Sequence, residues 1–257
     1  MRQQAARWSL AIAPFAFVCV GCGFDEEPLP QASHFGVLSA TSSAVAHSAH
    51  ASFRSNVSAS CSMTPTSDGC VVARCESDEA SGEPAAAGTV TIQGDATVVL
   101  DADNAWTAEG DGALFGNGDE VLFDVAAGDD VPAFRGTLRA PSSTSLTAPQ
   151  ASEDGAPLEL AAGENLGVEW VPGNNGLMKF YASSGLVGVS CEWTISNGEA
   201  LIFASTLAEL PPSDGSDSLA EFWTEQNGVG REDDWEFLLL LTGEAADGTF
   251  AGYSRAE

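Results

Sequence analysis

The sequence predicts an all-β protein whose strands form an antiparallel β-sandwich. The clearest strand signal lies between Val187 and Ser196, where apolar residues from Val187 to Ile195 occupy every second position. Such alternation is typical of a strand with one buried face, because successive side chains point to opposite sides of a sheet. Comparable short runs recur roughly every 8 to 12 residues between Gly, Pro, Asn and Asp, which is the spacing of a sandwich.

The remaining elements follow in the same way. The run from Phe237 to Leu241 is apolar on both faces, so we expect a central, fully buried strand there. A helix fits the segment from Ser218 to Glu225, with Ser218 as its N-cap. Leu219 and Phe222 would share one face of that helix. The other predicted strands are Thr89–Gln93, Val98–Asp101, Glu120–Val125, Phe134–Ala140, Leu158–Leu160, Leu166–Val171 and Leu177–Tyr181.

The first 22 residues have the features of an export signal. A basic start is followed by an apolar run from Trp8 to Val20, which is shorter than a membrane-spanning helix needs. The run ends in Gly21-Cys22, and a small residue directly before a cysteine resembles the lipobox of bacterial lipoprotein precursors; Cys19 departs from the usual aliphatic residue of that motif. The resemblance implies removal of residues 1–21 and acyl chains on Cys22 that anchor the mature protein in a membrane. Because Gly23 follows Cys22, it also implies display on the outer membrane or cell surface.

The chain is strongly acidic, with 37 Asp and Glu against 9 Lys and Arg and a formal net charge of −28. Such a polyanion repels phosphate backbones, so we expect no nucleic-acid partner. Residues 22–50 are rich in Ser, Ala, Thr and Pro and are predicted to be a disordered tether. A first strand near Phe35 to Leu38 is the alternative. Residues 51–257 then form the β-sandwich region.

One stretch carries a resemblance to a known fold family. Leu166 to Gly173 reads Leu-Gly-Val-Glu-Trp-Val-Pro-Gly, which resembles the second strand of fibronectin type III and related immunoglobulin-like sandwiches over residues 142–210. The resemblance implies that Trp170 is a core residue. Since 51–257 is long for one such domain, residues 141–157, rich in Pro and Ser, are a possible internal boundary. We expect one elaborated sandwich or two locked halves.

Four cysteines remain once Cys19 and Cys22 are set aside, and export favours disulfides between them over a metal site. In the strand from Cys70 to Cys75, Arg74 shares a face with Cys70. An arginine face should point outward, so Cys75 should point inward. The face alternation therefore predicts the pairs Cys75–Cys191 and Cys61–Cys70, unless a bulge exchanges the two faces.

The residue inventory argues against catalysis. All three histidines, at positions 34, 47 and 50, fall in the predicted tether, so we expect no ordered histidine to activate a serine in the folded body. Lys179, the only lysine, is expected to be exposed. We therefore expect a protein that is not an enzyme. The alternative is a secreted hydrolase of the glycosidase type that uses two carboxylates.

Two acidic, Gly-rich segments are candidate calcium loops, because calcium prefers carboxylate and carbonyl oxygens. Trp106 lies between them and is a candidate platform for a sugar ring. We expect no cofactor other than a calcium ion in these loops. The expected function is that of a lipid-anchored envelope protein that binds a glycan or a protein partner through loops of the sandwich. The candidate calcium ligands are Asp101, Asp103, Asp111 and Asp119.

Overall fold

The computed structural model describes residues 34–56, 61–76, 82–103, 105–150 and 156–256. It confirms the predicted fold class, because these residues form mostly antiparallel strands with one short helix, α1 (Ala204–Leu207), and one 3-10 turn (Ile195–Asn197). None of the helical residues described makes a helix long and apolar enough to cross a membrane. In chain order the strands are β1 (His34–Ser42), β2 (Ala46–Ser55), β3 (Cys61–Pro65), β4 (Cys70–Cys75), β5 (Glu83–Pro84), β6 (Val90–Gln93), β7 (Thr97–Leu100), β8 (Thr107–Asp111), β9 (Glu120–Val125), β10 (Phe134–Arg139), β11 (Thr144–Ala148), β12 (Leu158–Glu159), β13 (Leu166–Trp170), β14 (Leu177–Ser184), β15 (Val187–Thr194), β16 (Glu199–Ile202), β17 (Ser213–Asp214), β18 (Ser218–Glu232), β19 (Trp235–Thr249) and β20 (Tyr253–Arg255).

The described strands form three sheets. The main sheet has thirteen strands and runs β16-β13-β11-β19-β18-β14-β15-β4-β3, with β1, β2, β5 and β8 joined to it beside β19. A second sheet has the order β10-β9-β6-β7, and a third has the order β12-β20-β17. Strands β1 and β11 run parallel to β19, and β12 runs parallel to β20. The long strand β19 therefore pairs with strands from distant parts of the chain.

The first core lies between the four-stranded sheet and the inner face of β1, β2 and β19. Leu38, Phe123 and Phe237 are fully buried in it. Phe134 of β10 stacks on Phe237 with ring centroids 4.2 Å apart. A Cβ atom at Gly230 would lie 2.4 Å from the Phe134 ring, so only glycine lets β10 approach the β18–β19 hairpin this closely. The predicted central strand at 237–241 is confirmed as part of β19.

The second core lies between two groups of strands, β4-β15-β14-β18 on one side and β11-β13-β16 with β12 and β20 on the other. Trp170 is buried in it, as expected, and its indole Nε1–H donates a hydrogen bond of 2.7 Å to the Ile195 carbonyl. Along the chain, Ala140 still belongs to the first core, whereas Leu146 belongs to the second. The β18–β19 hairpin contributes side chains to both cores and joins them.

The structure corrects the predicted tether. Residues 34–50, which were expected to be disordered, form β1 and the first half of β2, and they bury Leu38 and Ala49 in the first core. The sequence did not clearly predict these strands, because they are rich in Ser and Ala. Such small residues can still form one buried face of a strand when neighbouring elements cover them. The alternative of a first strand at residues 35–38 is thus correct. Residues 22–33, with Cys22, lie outside the described residues.

The expectation that no histidine is ordered in the folded body is also wrong. His34 lies on β1, and His47 and His50 lie on β2. His34 Nδ1 is 3.1 Å from a carboxylate oxygen of Asp234, and His47 Nδ1 is 2.8 Å from the Gly112 carbonyl oxygen. Burial lowers the pKa of His50, whose Nδ1 has no hydrogen-bond partner in the part of the chain described. The contacts of His34 and His47 join strands and loops.

The predicted helix from Ser218 to Glu225 is wrong as well, because this segment begins the 15-residue strand β18. Ala220, Phe222 and Thr224 are buried, which is a period of two rather than of 3.6. Pairing with β14 on one side and β19 on the other holds this segment as a strand, and every second side chain from Ala220 to Thr224 is then buried. Tertiary pairing therefore overrides a local pattern that also fits a short helix.

All four predicted cysteines form disulfides, but the predicted pairing is wrong. The bridges are Cys61–Cys75 and Cys70–Cys191, and each joins residues directly opposite one another in neighbouring strands. Alternation along β4 holds, but the faces are the reverse of those expected. Cys70 is buried, whereas Arg74 shares its face at the strand end beyond the core and pairs with Glu209 at the surface. The prediction was wrong because it inferred the outward face of β4 from Arg74, which lies at the edge of the core.

Candidate functional site

The strongest candidate site lies on the face of the main sheet opposite the second core. On β14, β15 and β18 the side chains that alternate with the core residues project from this face. We call the following residues the outer-face cluster. Its members are Lys179, Tyr181, Glu192, Glu221, Trp223, Glu225 and Asn227.

Lys179 is the centre of the cluster, and the expectation that it is exposed is wrong. Its side chain is 11% exposed, and its Nζ contacts Glu192 of β15 and Glu225 of β18. In the sheet register Lys179 lies directly between Glu192 and Trp223. Burial acts to lower the pKa of Lys179, but the two carboxylates outweigh it and hold the pKa above its ordinary value. The lysine therefore stays protonated and links three strands.

Glu225 is the most fully bonded carboxylate of the cluster. Its Oε1 lies 3.4 Å from Lys179 Nζ and accepts a hydrogen bond of 3.4 Å from Asn227 Nδ2. Its Oε2 accepts a hydrogen bond of 3.1 Å from the Trp223 indole Nε1–H. Three donors thus compensate the Glu225 carboxylate for its lost contact with water, since the side chain is only 11% exposed. The hydrogen bond from Trp223 to Glu225 Oε2 also fixes one edge of the Trp223 ring.

Glu221 has a different environment. It lies opposite Tyr181 in the register and two residues before Trp223 on the same face of β18. Among the described residues its carboxylate makes no hydrogen bond and no ion pair, and burial raises the pKa of this group. The cluster therefore contains one carboxylate whose charge is not compensated.

Two aromatic rings belong to the cluster rather than to either core. Tyr181 and Trp223 are half-buried, and neither is part of the two buried clusters. A Cβ atom at Gly188 would lie 3.1 Å from the Tyr181 ring, so this ring lies over β15. Side chains of this kind combine an apolar face with a polar group, which suits a surface that contacts both a ligand and water.

The four candidate calcium ligands do not come together. Asp101 accepts a hydrogen bond from the Asp103 backbone N–H, and Asp119 accepts one of 2.7 Å from the Gly116 N–H. Asp111 ends β8 on the surface. In the described ranges no three Asp, Glu, His or Cys side chains are grouped so as to hold a metal ion. Asp101 and Asp119 each close a turn of their own loop.

Trp106 packs at the rim of the first core. Its ring meets Phe53 edge-on with centroids 5.5 Å apart, and it is half-buried. Its carbonyl accepts a hydrogen bond of 2.9 Å from the Ala51 N–H. These contacts give the ring a packing role beside β2.

A small depression of about 170 Å³ lies between the β3–β4 turn and α1. Hydroxyl groups of Thr64, Ser67 and Ser205 line it beside the Arg74–Glu209 pair. The Asp68 carboxylate accepts hydrogen bonds from the hydroxyl of Thr66, a lining residue, and from the Phe203 N–H. This volume is below the roughly 300–1,000 Å³ of typical ligand pockets. The depression mainly shows how the hairpin is fastened to α1.

Sequence reasoning missed the outer-face cluster because it assigned residues 218–225 to a helix. Read with period two, the same segment separates Ala220, Phe222 and Thr224 from the polar face of β18. That alternation was the available signal. The convergence of Lys179 with Glu225 was not visible, since it depends on which strands become neighbours.

The fold therefore defines an all-β protein built from packed, mostly antiparallel sheets. Neither protein-family models nor curated proteins give a match to this chain. Among solved structures, one match is to the crystal structure of chicken CNTN1 FN1-FN3 domains, at 10% identity and a TM-score of 0.17. The match covers 72% of this chain and 66% of that chain, just under two thirds of its length.

Proposed function

We propose that this protein is an exported, lipid-anchored binding protein that holds a glycan on its outer-face cluster. The observation that carries the proposal is the position of Tyr181 and Trp223 outside both cores, beside a network of fixed polar groups. Aromatic faces offer apolar area to the C–H side of a sugar ring. Carboxylate and amide groups at the ring edge offer acceptors and donors for its hydroxyls.

The rigidity of the cluster supports binding in particular. Lys179 and Glu225 are fixed by one another and by Trp223 and Asn227, so a ligand meets side chains that have already lost their conformational freedom. Preorganisation of this kind reduces the entropy cost of binding. The proposed site lies on strands of the sheet, whereas the sequence suggested loops of the sandwich, with Trp106 as a candidate.

Binding to a glycan array by the mature protein tests this proposal. Trp223→Ala and Tyr181→Ala should each weaken binding by about tenfold or more, as loss of an aromatic anchor does in other interfaces. Phe203→Ala is the matched control, because Phe203 is 37% exposed and lies at the start of α1, outside the cluster. Unchanged binding in both cluster variants, or an equal loss in the control, would overturn the proposal.

The membrane anchor is tested separately. Changing Cys22 to Ser should release the protein from membranes into the soluble exported fraction, because the acyl chains supply the attachment. Mass spectrometry of the wild-type N-terminus should show an acylated Cys22. A wild-type protein that is already soluble, or whose mature chain starts elsewhere, would contradict the anchor.

A secreted hydrolase is the second candidate, and the raised pKa of Glu221 favours it, because a general acid must hold its proton. Glu225 would be the second carboxylate on the same strand. Four residues of extended chain separate their Cα atoms by about 13 Å, against carboxyl separations of roughly 5 to 9.5 Å in glycosidases. Release of reducing ends from a bound glycan, lost in Glu221→Gln, would favour the hydrolase over the binding protein.

A further inference from the structure

The charges of the outer-face cluster indicate which kind of glycan it accepts. The cluster contains one lysine and three glutamates, and the lysine is held by two of them. Its positive charge is therefore already neutralised before a ligand arrives. An anionic sugar such as a uronic acid would find no free cation in this cluster.

Glu221 is the group of the cluster with which a cationic ligand can pair. It is half-buried, lies opposite Tyr181 in the sheet register and two residues before Trp223, and its carboxylate has no partner among the described residues. Leaving a carboxylate partly buried and unpaired costs free energy, and a cation placed beside it recovers that cost. Trp223, two residues from Glu221 on the same face of β18, favours the same kind of ligand group, because aromatic faces attract ammonium ions.

We infer that the outer-face cluster binds a glycan with free amino groups, whose ammonium group pairs with Glu221 beside Trp223. This inference rests on the proposed function and specifies its ligand class. The net charge of −28 also favours a cationic glycan, because a strongly negative protein attracts a polycation and repels a polyanion over long range.

Calorimetry of the mature protein with three β-1,4-linked hexasaccharides tests the inference. The ligands are a glucosamine hexamer, its fully N-acetylated form, and a uronic acid hexamer of the same length. At a pH that keeps the amines protonated and at low salt, the glucosamine hexamer should bind at least tenfold more tightly than the acetylated one. The uronic acid hexamer should not bind, and added salt should reduce the preference for the amine.

The variant Glu221→Gln identifies the responsible group. It should abolish the preference for glucosamine, so that both hexamers bind this variant with the same affinity, because the charge pair is lost. Glu199→Gln, an exposed position on β16, is the control for one acidic charge fewer and should keep the preference. Equal loss in both variants would show non-specific adhesion of a polycation and overturn the inference.

The outcomes also separate the inference from the function on which it rests. If the acetylated hexamer binds as tightly as glucosamine and Trp223→Ala still weakens both, the amine inference fails and the glycan-binding function stands. If none of the hexamers and no glycan of the array binds, the proposed function fails and the inference fails with it.

Discussion

The hairpins β1–β2 and β3–β4 both extend the main sheet, but they are attached to it in different ways. Five side chains of β1–β2 are buried in the first core. From β3–β4, Cys70 and Val72 are the members of the second core. Instead, β3–β4 carries both disulfides found in the described residues. The buried side chains of β1–β2 are those of Leu38, Ala40, Ala49, Ala51 and Phe53.

This difference shows that apolar burial and covalent links can replace one another in fixing a hairpin. Full burial of Leu38 or Phe53 contributes roughly 2 kcal/mol each to the free energy of folding. In the chain-entropy model a bridge across 121 residues, as in Cys70–Cys191, contributes about 5 kcal/mol. A hairpin at the sheet edge with few large side chains is therefore held by its bridge rather than by its core contacts.

The largest effect is expected from removing the bridges in pairs, which leaves no free thiol. The double variant Cys70→Ala/Cys191→Ala should lower the free energy of unfolding by about 5 kcal/mol. Cys61→Ala/Cys75→Ala should lower it by about 3 kcal/mol, since that bridge spans 14 residues. Urea unfolding of the oxidised proteins measures both.

Peptide mapping without reduction is the control for the pairing itself. It should yield a Cys70–Cys191 peptide and a Cys61–Cys75 peptide. A Cys75–Cys191 peptide would contradict the structure, and equal destabilisation by the two double variants would contradict the role given to the long bridge.

A smaller effect is expected from breaking either of two ion pairs that β18 makes with a neighbouring strand. Lys179→Met should lower the free energy of unfolding by about 3 kcal/mol, because it leaves Glu225 buried without its cation. Arg231→Met is the matched control, since the Arg231–Glu236 pair links two strands too, but the arginine side chain is 60% exposed. That surface pair should contribute less than about 1 kcal/mol. Equal losses by thermal unfolding would show that burial of the lysine is energetically unimportant.

The smallest effect concerns acid and the attachment of the β3–β4 turn to α1. Partial burial tends to raise the pKa of Asp68, but hydrogen bonds from Thr66, the Phe203 N–H and Thr206 outweigh it and lower the pKa. Its contribution to stability is therefore complete above the ordinary aspartate pKa of about 3.9 and is lost as the pH falls through the lower folded-state value.

The variant Asp68→Asn makes this dependence measurable. Hydrogen exchange of the β3–β4 amides should be faster in the variant than in the wild type at neutral pH, and the difference should shrink at acidic pH below about 4. Asp129→Asn, an exposed loop position, controls for the loss of one negative charge. A difference that grows on acidification would contradict the lowered pKa.

The sequence alone determined the fold class and many of the strands, because alternation of apolar residues is a local property. The strand at 187–194 followed from it, and the buried run at 237–241 followed from its apolar residues on both faces. The core position of Trp170 followed from the resemblance to fibronectin type III sandwiches. The features of an export signal predicted that the four cysteines form disulfides, and because three of them precede residues 141–157 and one follows, one bridge had to span that segment. The anchor at Cys22 remains a prediction.

Tertiary structure decided everything that depends on which strands become neighbours. Residues 34–50 are strands because β19 lies beside β1, and residues 218–225 are a strand because β14 and β19 lie on either side. Arg74 marks an outer position because the core ends before it, which reversed the cysteine pairing. Lys179 is buried because its two neighbouring strands, β15 next in the chain and β18 farther along it, place glutamates beside it. Local patterns tell which faces can be buried, but only the packed sheet determines what covers them.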